Sequence, residues 1–333
     1  MRVVITGGGG FLGWRLAREL LRLGKLTAAG RESPIERVVL FDLSLPREAA
    51  GSDPRLELVQ GDITDPSQVR AAVSPGTGSV FHLAAVVSAA AEEDFDLGLR
   101  VNLEGTRHLL EACRSLPEPA RLVYASSIAV YGGEKTINDR TPATPLNSYG
   151  VQKAVGELLL RDYARKGYVD GRGLRLPTVI VRPGKPNRAA SSFASSIVRE
   201  PLMGERAVCP VSPGSFMPVL SPRRVIEAFI HAHELPAEAF GGQRVLLLDG
   251  LSPTVAQILH ALRRVAGQEV ADRVDFQPNP FIQRIVDGWP RRLEARRARE
   301  LGFRRDGSVE EIIRQFIAEQ LPRRDAQGSG ARA

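Results

Sequence analysis

The chain has little cysteine, methionine, tryptophan or lysine. Its 333 residues include two Cys, three Met and two Trp, and the only lysines are Lys25, Lys135, Lys153, Lys166 and Lys185. Cys113 and Cys209 can form neither a disulfide framework nor a metal-ligand cluster. No metal is therefore expected, and a reducing cytoplasm is the simplest location. No apolar run approaches the roughly 20 residues that a membrane span requires, so no membrane is expected as a partner. The strand-like stretch Met1 to Thr6 opens the chain directly, which leaves no room for a signal peptide. No internal repeat is visible.

Hydrophobic residues make up 43% and charged residues 25% of the chain, values of an ordinary globular protein. The length suits one large α/β domain with a smaller appendage. The net charge is +7 and the pI about 9.8, a balance that can signal nucleic acid. Here the basic residues are mostly arginine and spread along the chain. The one dense run, Arg291 to Arg299, alternates with Ala, Leu and Glu as a solvated helix face would. Nucleic-acid binding is not expected, although a basic field would attract a small anion.

The stretch that organises the rest runs from Ser126 to Lys153. Tyr149 and Lys153 are spaced i, i+4, so on a helix both project from one face. An ammonium there would favour the phenolate of Tyr149, whose unperturbed pKa is near 10. A tyrosine tuned in this way can take a proton from an alcohol or return one to a carbonyl. Ser127 follows an apolar strand-like run, Arg121 to Ala125, and can bring a hydroxyl to the same substrate oxygen. Tyr-x-x-x-Lys alone is common by chance, so the reading depends on an electron acceptor.

The N-terminus supplies one. Arg2 to Thr6 reads as a strand, followed by Gly7-Gly8-Gly9-Gly10-Phe11-Leu12-Gly13 and a helical pattern to Leu23. Strand, glycine turn and helix form a diphosphate cradle, with Gly7, Gly10, Phe11, Leu12 and Gly13 against the cofactor. The helix N-terminus offers free N–H groups and a favourable dipole. A second strand, Arg37 to Phe41, ends in Asp42 after a long polar connection from Gly24. A carboxylate there would bond the adenosine ribose and repel a 2′-phosphate, which favours NAD over NADP. A third strand, Leu56 to Gln60, precedes Asp62 and Ile63, placed to meet the adenine. Asp65 before Pro66 reads as a helix cap, whereas Asp62 does not.

Ser79 to His82 is the fourth strand, running into Leu83 and Ala84, whose small neighbours let a cofactor lie against the backbone. His82 reads as a packed histidine rather than a base. Asp96 to Leu116 is helical and carries Asn102, which can bond a backbone carbonyl near the site and hold a water. Leu174 to Val181 is a sixth strand, ending in Arg182-Pro183-Gly184-Lys185-Pro186-Asn187. Six strands alternating with helices describe an α/β fold with a Rossmann-type doubly wound parallel sheet. Residues 1–182 are expected to form the NAD-binding domain. Residues 183–325 are expected to form mainly a smaller mixed α/β substrate domain, with 244–250 able to return to the main sheet, and 326–333 a flexible tail.

Taken together, Thr6-Gly7-x-x-Gly10-x-x-Gly13, Asp62, Asn102, Ser127 and Tyr149-x-x-x-Lys153 resemble the extended short-chain dehydrogenase/reductase superfamily. The resemblance covers residues 1 to about 182. It implies Tyr149 as proton acceptor, Lys153 as pKa tuner and ribose ligand, Ser127 as substrate-oxygen ligand, and a nicotinamide near Thr178 and Val179. A narrower resemblance rests on Gly167-Tyr168-Val169-Asp170-Gly171-Arg172, Leu176-Pro177-Thr178, Arg182 to Asn187, Arg199-Glu200-Pro201-Leu202 and Cys209-Pro210-Val211. These are similar to the D-erythronate dehydrogenase branch, long described loosely as nucleoside-diphosphate-sugar epimerases. The implied reaction is NAD-dependent oxidation of the C2 hydroxyl of a small anionic sugar acid.

For the substrate carboxylate the candidates are Arg182, as a bidentate clamp, and Lys185, with Ser88 and Thr178 as weaker polar contacts. The alternatives are a nucleoside-diphosphate-sugar 4-epimerase and a non-catalytic NAD-sensing protein. Dehydration is disfavoured, because Ser127-Ile128-Ala129 lacks the Asp-Glu pair of the related dehydratases. A homodimer is expected through the helices bearing Asn102 and Tyr149, with Leu158, Leu159, Leu109 and Leu110 as apolar surface, although the same residues could instead face the sheet.

Overall fold

The computed structural model describes residues 1–28, 30–184 and 191–321. Lys185 and the expected tail at 326–333 lie outside the described residues. The frame is a seven-stranded parallel sheet: β1 Arg2–Thr6, β2 Arg37–Asp42, β3 Leu56–Gln60, β4 Thr77–His82, β5 Arg121–Ser127, β6 Asp170–Leu176 and β7 Val245–Leu247. Their spatial order is β7-β6-β5-β4-β1-β2-β3. The sheet reverses direction between β1 and β4, the switch point at which such sheets bind ligands beyond the strand ends. β1 and β2 are near-continuous runs of Val, Ile, Leu and Phe because both faces of the sheet are covered.

The helices include α1 Phe11–Leu23, α2 Pro66–Ala72, α3 Gly105–Arg114, α4 Ser148–Arg165, α5 Ser192–Leu202, α6 Pro222–Glu234, α7 Val255–Ala266 and α8 Val309–Gln320. One core packs Leu16, Leu20 and Phe229 against one face of the sheet. A second packs Val69, Leu109 and Leu160 against the other. A third, around Ile197, Met217, Ile258 and Ile313, belongs to the later part of the chain. Asp65 caps α2 by accepting from the Ser67 and Gln68 N–H groups, with Pro66 in the first turn, as its position implies.

Four expectations are corrected. The polar connection from Gly24 is a two-stranded antiparallel ribbon, Lys25–Ala28 with Arg31–Pro34. The sixth strand begins at Asp170 and ends at Leu176. Beyond Pro177 the chain leaves the sheet, and Thr178–Val179 pairs instead with Val219–Leu220. Arg292–Glu294 is a strand paired with Thr136–Asn138, so the arginine run is not one helix face. Leu109 and Leu110 are buried in the core and offer no apolar surface.

Candidate active site

β1 ends at Thr6, and the chain must turn at once to start α1. Gly7 adopts φ +70°, and a Cβ there would lie 2.6 Å from the Ala84 amide nitrogen. A Cβ at Gly13 would lie 2.2 Å from the Gly7 carbonyl oxygen. The glycines thus let α1 close on the turn while the turn rests on the Leu83–Ala84 backbone. The N-terminus of α1 has no side-chain cap and no acidic residue in its first turn. Side chains cap α2, α4, α6 and α7: Asp65, Asn147, Ser221 and Thr254 respectively. An uncapped helix start behind a glycine cradle is the arrangement that accepts a diphosphate.

Asp42 closes β2 with its carboxylate turned towards that cradle, accepting from the Gly9 N–H at 3.0 Å and the Ser44 N–H at 3.2 Å. Asp62 Oδ1 accepts from the Thr64 N–H at 2.8 Å, and the next residue, Ile63, is buried. These groups line the strand ends as a dinucleotide's adenosine half would require.

His82 is buried between two threonines, Nδ1 at 2.7 Å from Thr6 Oγ1 and Nε2 at 2.9 Å from Thr106 Oγ1. Thr106 spends its own proton on the Asn102 carbonyl at 2.6 Å. It must therefore accept from His82, which fixes the Nε2–H tautomer and leaves Nδ1 accepting from Thr6. Burial, with the Lys153 charge second, pushes the His82 pKa down to about 3. The histidine is a neutral link between β1, β4 and α3.

Asn102 lies in a wide π-helical turn, Leu99–Glu104. Its Oδ1 accepts from the Val86 N–H at 2.8 Å, and Nδ2 donates to the Val86 carbonyl at 3.0 Å and to Gln152 Oε1 at 2.7 Å. That grip holds the segment leading into Ser88, which opens a short helix, Ser88–Glu93. Glu92 in turn accepts from the Ser148 N–H at 2.8 Å. The Ser88 helix is thereby fastened to the start of α4, one residue before Tyr149.

Ser127 ends β5, and its Oγ accepts from the Ala129 N–H at 3.1 Å. Burial pushes the Tyr149 pKa up to about 12, opposed by the Arg182 charge and by a hydrogen bond with Ser127, both of which favour the phenolate. Lys153 is buried, its ammonium 5.7 Å from the Tyr149 ring centroid and 4.8 Å from that of Tyr124. Its Nζ donates to the Ala125 carbonyl at 2.9 Å. Burial pulls the Lys153 pKa down to about 8, opposed by the Glu157 charge. Arg182 thus adds a second cation beside Tyr149, one that the i, i+4 spacing to Lys153 alone does not reveal.

Arg182 donates Nε–H to the Val179 carbonyl at 2.9 Å and Nη2–H to Ser191 Oγ at 3.3 Å. Its backbone N–H donates to Ser195 Oγ at 3.1 Å, and its carbonyl accepts from the buried Arg199 at 2.8 Å. Thr178 is held by its N–H donating to the Pro218 carbonyl at 2.9 Å. The side chains brought together are therefore Ser127, Tyr149, Lys153 and Arg182, at the C-terminal ends of β5 and β6 and the start of α4.

Sequence reasoning missed the layer behind them. Glu157, a further turn along α4, accepts from Ser126 Oγ at 2.5 Å and from Arg175 at 2.9 and 2.7 Å. Arg175 also donates to the Tyr131 hydroxyl at 2.7 Å. The only available signal was the i, i+4, i+8 spacing of Tyr149, Lys153 and Glu157. A separate open cavity of about 670 Å³ is lined by Arg140, Arg292, Arg299 and Arg305 and includes none of the predicted site residues. Arg299 and Arg305 there share Asp249, at 3.7 Å each. Among the described residues no group of three or more His, Cys, Asp or Glu could hold a metal ion. No described helix is long and apolar enough to cross a membrane.

Residues 3–245 match the profile of the NAD dependent epimerase/dehydratase family. The chain belongs to that family. It is 52% identical over 319 residues to a D-erythronate dehydrogenase of Cupriavidus necator, covering 95% of this chain and 98% of the relative. It is 44% identical over 319 residues to a D-erythronate dehydrogenase of Haemophilus influenzae, covering 95% and 99%. Its fold superposes with a TM-score of 0.89 on the crystal structure of a nucleoside-diphosphate-sugar epimerase from Agrobacterium tumefaciens, at 42% identity and covering 96% and 94% of the two chains.

Proposed function

We propose that the protein oxidises the C2 hydroxyl of D-erythronate to the 2-oxo acid with NAD. The observation that carries this reading is the grouping of Ser127, Lys153 and Arg182 around Tyr149, within a chain of near-full-length similarity to two D-erythronate dehydrogenases. NAD would be held by the α1 N-terminus, Asp42, Asp62 and Lys153, and when bound it accepts the C2 hydride. Tyr149 takes the hydroxyl proton, and Ser127 holds the oxygen as it becomes a carbonyl. Arg182 holds the substrate carboxylate and raises the phenolate fraction of Tyr149. Lys153 keeps a positive charge behind the tyrosine and reaches the ribose. Asn102 acts at one remove, by fixing the Ser88 segment.

A nucleotide-sugar epimerase would need room for a base, a ribose and a diphosphate, whereas a four-carbon acid needs one cation and a few donors. Arg182, tied to Val179, suits the smaller ligand. A non-catalytic NAD sensor has no use for both Tyr149 and Lys153. Cys113 and Cys209 are free and buried, which suits a reducing cytoplasm. A homodimer would use the outer face of α4, where Val151 and Leu158 are 46% and 54% exposed and seven residues apart; light scattering should give twice the chain mass. The deciding experiment is NADH formation by the purified protein across a panel of C4 sugar acids. D-erythronate should be the preferred member. Conversion of a uridine diphosphate sugar without net NADH release would overturn the reading.

A further inference from the structure

We propose that Glu157 is a positioning residue for this reaction, biasing the proton shared by Tyr149 and Lys153 onto the lysine and steadying Ser127 through its neighbour Ser126. The inference rests on the reading of Tyr149 as proton acceptor.

The geometry is a row of alternating charge. Tyr149, Lys153 and Glu157 follow one another at intervals of four residues on α4, a rise of about 6 Å per step. The carboxylate therefore stands one step from the lysine and two from the tyrosine. The Arg182 charge acts on the tyrosine and Arg175 pairs with the carboxylate, so the groups coupled in turn are cation, phenol, ammonium, carboxylate and cation. A proton shared by the middle pair has two placements, neutral phenol with neutral amine or phenolate with ammonium. The second is the one that can deprotonate an alcohol. A negative charge nearer the lysine and a positive charge nearer the tyrosine both favour it.

The other groups around Lys153 do not do this. Tyr124 presents only its ring face, His82 is neutral, and the Ala125 carbonyl is a dipole. Tyr131, packed on the far side, pairs with Arg175. Glu157 is the carboxylate that raises Lys153 against the effect of burial. It is itself held by the bidentate Arg175, which sits opposite Ser126 in the β5–β6 register. A buried ion pair is a poor way to gain stability, since apolar residues of similar volume would serve as well or better. Its retention here beside the reacting pair has a use in charge placement.

The second link is mechanical. Ser126 Oγ donates to Glu157 at 2.5 Å, directly before Ser127 in β5. The same carboxylate thus sets the charge under Lys153 and the strand end that carries the substrate-oxygen ligand.

The test is the pH profile of erythronate oxidation in three variants. Loss of a negative charge lowers both macroscopic pKa values of a coupled pair, whichever residue each belongs to. Glu157→Gln should therefore move the whole profile to lower pH by roughly one unit and lower its plateau, with NAD affinity near that of the unaltered protein. Glu157→Asp, which keeps the charge, should restore most of the position. Glu157→Gln combined with Arg175→Met removes the guanidinium together with the carboxylate it pairs with, and carries the test if the single variant does not fold. Its profile should lie between those of the single variant and the unaltered protein. A lowered plateau at an unmoved pH, or a double variant matching the unaltered protein, would overturn the proposal. Tyr149→Phe separates the two readings. If it is inactive while the Glu157 profiles stay in place, only the role of Glu157 fails; if it is active, the reading of the site fails with it.

Discussion

Arg182 reaches back three residues to donate its Nε–H to the Val179 carbonyl at 2.9 Å. The bond ties the guanidinium to the segment that the resemblance sets beneath the nicotinamide. It also holds the cation close enough to Tyr149 to favour the phenolate. On the proposed reading, one side chain would both receive the carboxylate and tune the base.

Arg182→Ala should raise KM for erythronate by about tenfold to a hundredfold, the loss of a charge-assisted hydrogen bond worth roughly 1.5–3 kcal/mol. It should also lower kcat, because the phenolate loses a favourable charge. Steady-state kinetics separate the two. An effect on kcat alone would remove the carboxylate from the account.

Tyr149→Phe should lower turnover by roughly 10²–10⁴-fold, the range for a positioned acid–base group. NAD binding, followed by fluorescence quenching or calorimetry, should change little. His82 cannot replace the tyrosine, because both its ring nitrogens are engaged by Thr6 and Thr106.

Asp42→Ala should narrow the preference for NAD over NADP and weaken NAD binding as well. The second effect follows from the Gly9 N–H, which donates to this carboxylate at 3.0 Å and would lose its partner. Equal affinities for the two cofactors in the unaltered protein would contradict the ribose assignment.

Stability should fall with acid in a window set by two histidines. His82 and His233 are buried and neutral, each with its pKa pushed down to about 3, by burial first. The unfolded chain binds these protons near pH 6.5 and the folded chain does not, so stability is lost as pH falls from about 6.5 towards 3. Each contributes a slope of about 1.4 kcal/mol per pH unit inside that window. Urea unfolding at pH 7 and pH 4.5 measures it. A free energy unchanged between the two would contradict the buried, neutral state.

How much of this was legible in the sequence depends on whether residue type and burial agree. Asp42 and Ser127 stand out because each ends an apolar strand, and Tyr149 and Lys153 because helical spacing is local. Glu157 and Arg175 were illegible because charged residues read as solvent-facing until the partner that neutralises them is known, and here it lies on another element. The end of β6 was obscured by an apolar run continuing through Val181. Pro177 marked the break, since proline cannot continue a central strand. The ribbon at Lys25–Pro34 offered only short polar segments with no clear alternation. Leu109 and Leu110 were misassigned because a helix covered on two sides carries apolar residues beyond one stripe.

The last strand of the sheet has a consequence for how the chain can be divided. β7 pairs with β6 through Val245–Gly173, Leu246–Leu174 and Leu247–Arg175. A fragment ending near residue 182 would contain every catalytic candidate, yet leave those β6 backbone groups without a neighbour. An unpaired strand edge is a template for adding another chain. Such a fragment would therefore self-associate rather than persist as a small dehydrogenase, and its two halves would have to be co-expressed or covalently joined. Because that pairing closes late in the chain, folding must wait for a contact across more than sixty residues, a high-contact-order step that favours slow folding.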